Sequence, residues 1–118
     1  RMGNPVLLRI DDDLPVVPLE QKNCIYRFVQ ETLNNSARHA HGAGQSVVIQ
    51  RQGEGIEVEV SDTGAGFDPA EPTEGLGLAG LRERVTGLHG RFELHARKGQ
   101  GTSVSMWVPL SVAEEEQA

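Results

Sequence analysis

Residues 46–62 have the sequence SVVIQRQGEGIEVEVSD, which predicts two consecutive β-strands. The β-branched run at 47–49 predicts one strand. Ile56, Val58 and Val60 alternate with polar residues and predict a second strand with one face in water. The short GEG segment between them permits a tight turn, so the two strands are expected to pair as an antiparallel hairpin.

A long helix is predicted before this hairpin, over residues 19–40. Pro18 suits its first turn, because a proline lacks the N–H group that would be unpaired there, and Gly42 with Gly44 are suited to end it. Apolar residues at helical spacing predict the side that faces a core. They are Ile25, Phe28, Val29, Leu33, Ala37 and Ala40. Alternation at Val6–Ile10 predicts a short strand before this helix.

A long loop and a second helix are predicted after the hairpin. Residues 62–77 are rich in Gly, Pro and acidic residues, which is typical of a surface loop. Helical spacing then returns, and Gly90 is placed as the residue after the helix. The apolar residues of this helix are Leu78, Leu81, Val85 and Leu88. Two more strands are predicted at 92–96 and 104–108, before Pro109.

The order of these elements predicts an α+β fold. Strand, helix, two strands, loop, helix and two strands suit a two-layer sandwich, with a mixed sheet of about five strands and helices on one face. The strict strand–helix alternation of a doubly wound fold is absent from the pattern. Trp107 alternates away from the inward positions of the last strand, which predicts a half-exposed packing residue.

Length and composition predict one domain. Of 118 residues, 4–112 carry the patterns above, 1–3 are expected to be a cloning remnant, and 113–118 are expected to be an acidic, disordered tail. A net charge of -6 without a basic stripe argues against nucleic acid as a partner. No apolar run approaches the length of a membrane span, so no membrane contact is expected. Cys24 lies in an apolar pattern, is expected to be a core residue, and fits a reducing compartment.

Three groups of residues are candidates for chemistry, although each is weak evidence when taken alone. Glu31 and Asn35 lie four residues apart, so on a helix they share a face and can reach one ligand, although polar pairs at that spacing are usually solvated surface. Asp62 is followed by glycines that allow close backbone approach, which an ordinary turn also explains. The glycine-rich run 75–80 directly precedes a helix, where backbone N–H groups can hold an anion.

Four segments together resemble the catalytic, ATP-binding domain of bacterial two-component sensor histidine kinases. QETLNNSARHA at 30–40 is similar to the N box of that family, DTGAGFD at 62–68 to its first glycine box, GLGLAGLRERV at 75–85 to its second, and GQGTSV at 99–104 to its closing turn. The GLRERV run and Glu31 resemble the nitrate-sensor-like class. The superfamily includes gyrase and the large heat-shock chaperone, and the resemblance implies their Bergerat-type ATP-binding fold.

The resemblance also implies roles for particular residues. Glu31 would be the catalytic base that polarises the attacking histidine, Asn35 the protein ligand to Mg²⁺, and Asp62 the acceptor for the adenine amino group. The family's ATP-binding positions correspond here to Asn35, Arg38, His39, Asp62, Gly64, Gly66, Gly75, Gly77, Leu78 and Thr102. Among these, Thr102 would hold the adenine through water, while Gly75 and Gly77 would hinge a lid.

The implied function is transfer of the γ-phosphoryl group of Mg-ATP to a histidine on a separate dimerisation and phosphoacceptor domain, with a response regulator downstream and a cytoplasmic location. No segment resembles the family's phosphoacceptor helix, and none of the four histidines has its sequence context. The lid, at 67–74, is short, and Thr63 stands where the family more often has Asn. Alternatives within the superfamily are a serine kinase of the anti-sigma type and an ATP-gated clamp. A degenerate scaffold module is the remaining alternative.

Overall fold

The computed structural model describes residues 6–39, 44–64, 78–97 and 101–110, without the side chains of 37–39, 96 and 97. Within these ranges two helices and five strands follow the predicted order. The elements are β1 (Leu7–Ile10), α1 (Leu19–His39), β2 (Ser46–Gln52), β3 (Gly55–Asp62), α2 (Leu78–Gly87), β4 (Arg91–Arg97) and β5 (Gly101–Pro109).

The strands form one mixed sheet in the order β1-β2-β3-β5-β4. β1 pairs parallel with β2, because α1 carries the chain back between them, and the other neighbours pair antiparallel. Both helices pack against the sheet and contact each other, α1 against β3 and β5 and α2 against β4 and β5. The α+β sandwich with a five-stranded mixed sheet is therefore confirmed.

One core lies between the helices and the sheet. Val58 and Met106, opposite each other on β3 and β5, are buried against Phe28 of α1 and Leu81 of α2. Cys24 is buried in the same cluster, as expected. Burial raises the pKa of its thiol, and the positive charge of Arg84 acts in the opposite direction.

The buried side of α1 includes the described residues of the predicted apolar stripe, but it extends beyond them to polar residues. Among the described apolar residues of the predicted stripe, Phe28 is fully buried, while Ile25, Val29 and Leu33 are partly buried against the core. The most buried stripe instead runs at four-residue spacing and includes polar side chains. Its described members are Cys24, Phe28, Thr32 and Ser36, with Gln21 one turn before them.

Hydrogen bonds to backbone carbonyls make two of these polar residues compatible with burial. Gln21 Nε2 donates to the carbonyl of Pro109 at 3.0 Å, and Thr32 Oγ1 donates to that of Phe28 at 2.6 Å. The first bond ties the start of α1 to the end of β5. The helix axis is thereby fixed over the sheet independently of apolar spacing.

The end of α2 corrects a further expectation. The helix ends at Gly87, and the left-handed conformation after it is taken by His89, with φ of 64°, rather than by a glycine. His89 N–H donates to Thr86 and Gly90 N–H to Val85, which is the Schellman pattern. Position 90 requires glycine for a steric reason, because a Cβ there would overlap the carbonyl oxygen of Trp107 on β5.

The face of the sheet opposite the helices is partly exposed, as the alternation predicts. Trp107 is half-buried there: its Nε1 donates to the carbonyl of Gln52 at 2.8 Å, and the Arg91 guanidinium lies 4.4 Å from the centre of its ring. The packing role expected for Trp107 is confirmed.

Candidate functional site

The candidate site begins where two central strands meet at one end of the sheet. Asp62, the last residue of β3, lies opposite Thr102 near the start of β5. Since side chains alternate along a strand, both continue the inward-facing rows of Val60 and Val104 and face the helical layer. The structure therefore brings together two of the predicted site residues, although 39 residues of sequence separate them.

The Asp62 carboxylate is half-buried and held in a defined orientation. Its Oδ1 accepts a hydrogen bond from the Gly64 N–H at 3.0 Å. A carboxylate has a second oxygen with further acceptor capacity, so a ligand that donates an N–H group can be recognised at this position.

Gly101 allows β5 to approach the backbone of Asp62 closely. Its φ is 89°, and a Cβ at this position would overlap the carbonyl oxygen of Asp62. Only glycine meets both conditions without strain.

The second half of α1 is attached to the same end of the sheet. Gln45 is buried, and its Nε2 donates to the carbonyl of Leu33 at 3.1 Å. Gln45 directly precedes Ser46, which pairs with Ser61 beside Asp62. The turn of α1 around Leu33 is therefore held close to the end of β3, and the neighbouring Glu31 and Asn35 belong to this end of the molecule.

Glu31 is contacted from both helices. Arg27, one turn earlier in α1, places Nη2 at 3.8 Å from Glu31 Oε1, and Arg84 of α2 places Nη1 at 4.0 Å from the same oxygen. The Glu31 side chain is 35% exposed, so it is accessible to a ligand as well as to the two guanidinium groups. A carboxylate held in this way can accept a proton or a hydrogen bond.

The two arginines of the GLRERV run have different partners. Arg82 lies over the ring of Phe92, 5.0 Å from its centre, and the Phe92 ring packs edge-on against Phe28. Arg82 therefore covers the core, whereas Arg84 contacts a predicted catalytic residue. The sequence alone does not distinguish between them.

Asn35 is half-buried, four residues after Glu31, and makes interactions of its own in the structure. Within the described ranges no three His, Cys, Asp or Glu side chains are grouped closely enough to hold a metal ion. The Asn35 side chain offers an amide oxygen that can serve as one metal ligand beside phosphate and water oxygens. Oxygen ligands of this kind fit Mg²⁺, which commonly combines few protein ligands with substrate phosphates.

Comparison with known proteins identifies the family. Residues 20–112 match the model of the histidine kinase-, DNA gyrase B- and HSP90-like ATPases. The chain belongs to this ATPase family. The match includes both helices and strands β2 to β5, so it covers every described residue of the candidate site.

Similar proteins are histidine kinases. The ATPase domain is 35% identical over 91 residues to the signal transduction histidine-protein kinase/phosphatase DegS of Brevibacillus brevis. It is 34% identical over 86 residues to the corresponding kinase/phosphatase UhpB of Salmonella typhimurium strain LT2. These alignments cover 76% and 73% of the domain, but only 24% and 17% of the relatives.

Solved structures agree with this relationship. The blue-light activated histidine kinase of Erythrobacter litoralis EL346 superimposes with a TM-score of 0.70 at 29% identity, over 93% of the ATPase domain and 37% of that chain. Full-length ShkA in complex with AMPPNP has the same TM-score, over 88% of the domain and 25% of that chain, at 19% identity, which shows the shared fold. The resemblance inferred from the four segments is confirmed.

Several predicted site residues lie outside the described part of the chain. They include Gly66, Gly75 and Gly77. Arg38 and His39 lie in α1, but their side chains are not described. Leu78 is described: it is the first residue of α2, and its side chain is buried in the core. The backbone N–H at the helix start is therefore the part of Leu78 suited to hold an anion.

The sequence pattern does not predict the burial of one polar residue next to the candidate site. Ser36 directly follows Asn35, is 7% exposed, and its Oγ has no hydrogen-bond partner among the described residues. Ser36 follows Thr32 at four-residue spacing, but an apolar pattern does not include serine and so does not predict its burial.

No helix within the described ranges is long and apolar enough to cross a membrane.

Proposed function

We propose that this ATPase domain binds Mg-ATP and donates its γ-phosphoryl group to a histidine side chain on a separate dimerisation and phosphoacceptor domain of its parent kinase. The observation that carries the proposal is the oriented Asp62 carboxylate, which faces the helical layer beside Thr102. The histidine kinases among its relatives favour histidine over serine as the acceptor. A response regulator would then receive the phosphoryl group in the cytoplasm.

Asp62 would select the base. Its carboxylate would accept a hydrogen bond from the 6-amino group of adenine, with Thr102 holding the same edge through water. Guanine has a carbonyl oxygen at that position, so two acceptors would face each other. A hydrogen bond to a charged group is worth about 1.5–3 kcal/mol, or roughly 10- to 150-fold in affinity.

The other end of the ligand would lie along α1. Asn35 would hold Mg²⁺ through its side-chain oxygen, and the ion, when bound, neutralises charge on the phosphates. The N–H groups at the start of α2 would contact the phosphate oxygens. Gly66, Gly75, Gly77, Arg38 and His39 remain predicted contributors to this part of the site.

Glu31 would act on the acceptor histidine. One ring nitrogen attacks the γ-phosphorus, the bond from that phosphorus to the bridging oxygen breaks, and ADP leaves. Glu31 would accept the hydrogen bond of the other ring N–H and so increase the nucleophilicity of the attacking nitrogen. Arg27 and Arg84, both on Glu31 Oε1, would orient its carboxylate for this task.

A nucleotide panel in a thermal-shift assay tests the proposal. ATP and ADP should raise the melting temperature, and GTP should raise it much less, each measured with and without Mg²⁺. Asp62→Ala should abolish the preference for adenine, whereas Glu59→Ala, on the outer face of the same strand, should retain it. Equal shifts with ATP and GTP in the unmodified domain would contradict the role of Asp62.

A further inference from the structure

The first strand of the sheet is an exposed apolar edge. β1 pairs with β2 on one side, and no described strand lies on its other side. Its apolar side chains remain largely in water: Leu7 is 72% exposed, Leu8 60% and Ile10 46%. Since neighbouring residues of a strand point to opposite faces of the sheet, both faces of β1 are accessible to a partner.

The opposite edge of the sheet shows how this fold protects a strand. α2 packs against β4, where Phe92 and Leu94 are half-buried, and the outer face of β4 carries the charged residues Arg91 and Glu93. Coverage and charge of this kind discourage pairing with another chain. In β1 every residue is exposed and only Arg9 is charged. An exposed apolar edge strand is a template on which a further strand can pair.

The backbone of β1 has the correct phase for such pairing. Leu7 and Asp11 donate their N–H groups to carbonyl oxygens on the β2 side, both at 3.0 Å. Successive residues of a strand direct their N–H and C=O groups to alternate sides, so those of Leu8 and Ile10 point to the open edge. A strand laid along this edge would bond to these groups and shield both faces of β1, whereas a helix could cover only one face.

An acidic run at the end of β1 indicates the charge of the partner. Asp11, Asp12 and Asp13 directly follow the strand, and all three are exposed. Asp11 Oδ2 accepts a hydrogen bond from the Arg51 N–H, which fixes the start of this run beside β2. Interfaces bring opposite charges together, and like charges across an interface are unfavourable. A complementary strand therefore has basic residues beside the aspartates and apolar residues beside β1.

We propose that β1 is a docking edge for an extended segment of a partner protein, which adds an antiparallel strand to the sheet. The segment carries basic residues at its N-terminal end, beside Asp11–Asp13, and alternating apolar residues after them, beside Leu7–Ile10. Antiparallel pairing is chosen because it is slightly more stable per residue than parallel pairing. Main-chain hydrogen bonds give such an interaction its affinity, and side-chain contacts give its specificity. The proposal goes beyond the proposed phosphoryl transfer, since it involves none of the nucleotide-binding residues.

Titration calorimetry of the chain with the synthetic peptide RKRVTVTVT tests this proposal. We expect binding that depends on alternate peptide N–H groups. N-methylation of the set that faces β1 should weaken binding by about tenfold or more, and N-methylation of the other set should leave it within about twofold. Hydrogen exchange of the Leu8 and Ile10 amides should slow on binding. Exchange at Leu7 and Asp11 should change little, because these N–H groups already donate to the β2 side.

Two variants of the chain test the backbone and the charge separately. Leu8→Pro removes an N–H group that faces the open edge, so it should lower peptide affinity by about tenfold or more with little change in melting temperature. Asp12→Asn combined with Asp13→Asn should lower affinity about 2- to 5-fold at low salt and less at high salt. Glu93→Gln, on the opposite edge strand, is the matched control and should leave peptide affinity unchanged.

Three outcomes would overturn the proposal. The first is no binding of the peptide by the unmodified chain. The second is an equal loss of affinity with both N-methylated peptides, a result that does not require any change in the chain and so stands even if Leu8→Pro does not fold. The third is a dimer of the unmodified chain, seen by analytical ultracentrifugation and dissociated by Leu8→Pro, which would identify a second copy as the occupant of this edge.

Discussion

Arg82 and Arg84 show how two like residues in one short run acquire different tasks. Two residues along a helix correspond to a rotation of about 200°, so the two side chains leave α2 on nearly opposite sides. Arg82 covers the aromatic pair of the core, and Arg84 reaches across to Glu31 on α1. We infer that Arg84 is a positioning residue for the proposed base.

Arg84→Gln should lower phosphoryl transfer to an added phosphoacceptor domain by roughly tenfold, a part of the 10²-fold or more that a general base contributes. ATP affinity should stay within twofold. Since half-exposed ion pairs contribute about 0.2–1 kcal/mol, the free energy of unfolding should change little. Arg82→Gln is the matched control and should leave the transfer rate unchanged. Equal rates for Arg84→Gln and the unmodified domain would contradict the positioning role.

Substitutions of Asn35 and of Asp62 should differ in how they change the Mg²⁺ dependence of ATP binding. Asn35→Ala removes the proposed side-chain ligand of the metal, so we expect Mg²⁺ to strengthen ATP binding much less in this variant. Adenosine binding, which involves no phosphate, should be nearly unaffected. Titration calorimetry with and without Mg²⁺ measures both quantities. An unchanged response of ATP binding to Mg²⁺ would remove Asn35 from the metal site.

At the scale of elements, α1 shows why sequence periodicity identified the helix but only part of its buried face. Ile25, Val29 and Leu33 are only partly buried, since the helix is turned so that Thr32 and Ser36 face the sheet. One buried polar residue of this face, Gln21, donates a hydrogen bond to the distant carbonyl of Pro109. Contacts over 88 residues of sequence leave no local pattern from which they can be predicted.

Gly101, the first residue of β5, should tolerate an added side chain poorly. Gly101→Ala would place a methyl group against the Asp62 carbonyl at a positive φ, whereas Gly53→Ala has a positive φ with open space around it. Backbone strain alone costs about 1–2 kcal/mol. We expect urea denaturation to show this cost for Gly53→Ala and at least about 1 kcal/mol more for Gly101→Ala.

The two variants should also differ in ATP affinity. Gly101→Ala displaces the strand end that carries Asp62 and should weaken ATP binding, whereas Gly53 lies at the far end of the hairpin and its variant should bind normally. Equal stability of the two variants, with unchanged ATP affinity, would show that the close approach of β5 to Asp62 is not required.

At the scale of the whole molecule, the residues that form the core are distinct from the described residues of the candidate site. The core holds two helices against a sheet, and the described candidate residues lie at one end of this sandwich or between its helices. Sequence patterns predicted the strands and helices because their apolar spacing is local. The pairing of Asp62 with Thr102 depends on β3 and β5 being neighbours, which follows from the sheet order and not from either segment alone. At the level of sequence, the family resemblance is what places the two residues in one site.

We predict that the isolated chain binds ATP without phosphorylating itself. Phosphoryl transfer depends on positioning and charge stabilisation, so a well-formed pocket without a correctly placed nucleophile should produce no transfer. His89 and His95 are exposed, and His95 lies beside Glu93 on the outer face of the sheet, away from the proposed site. Incubation with γ-labelled ATP should therefore leave the chain unlabelled, and label should appear on the phosphoacceptor domain of the parent when that domain is added.

Glu31→Gln then separates binding from transfer in this reconstituted system. The amide keeps the size of the side chain and loses its basicity, so ATP affinity should change little while transfer falls by about 10²-fold. Asp62→Ala should instead lose ATP affinity first. Label on the isolated chain that is stable to base and labile to acid, as a phosphohistidine is, would contradict this division: one of His39, His41, His89 or His95 would then be an acceptor.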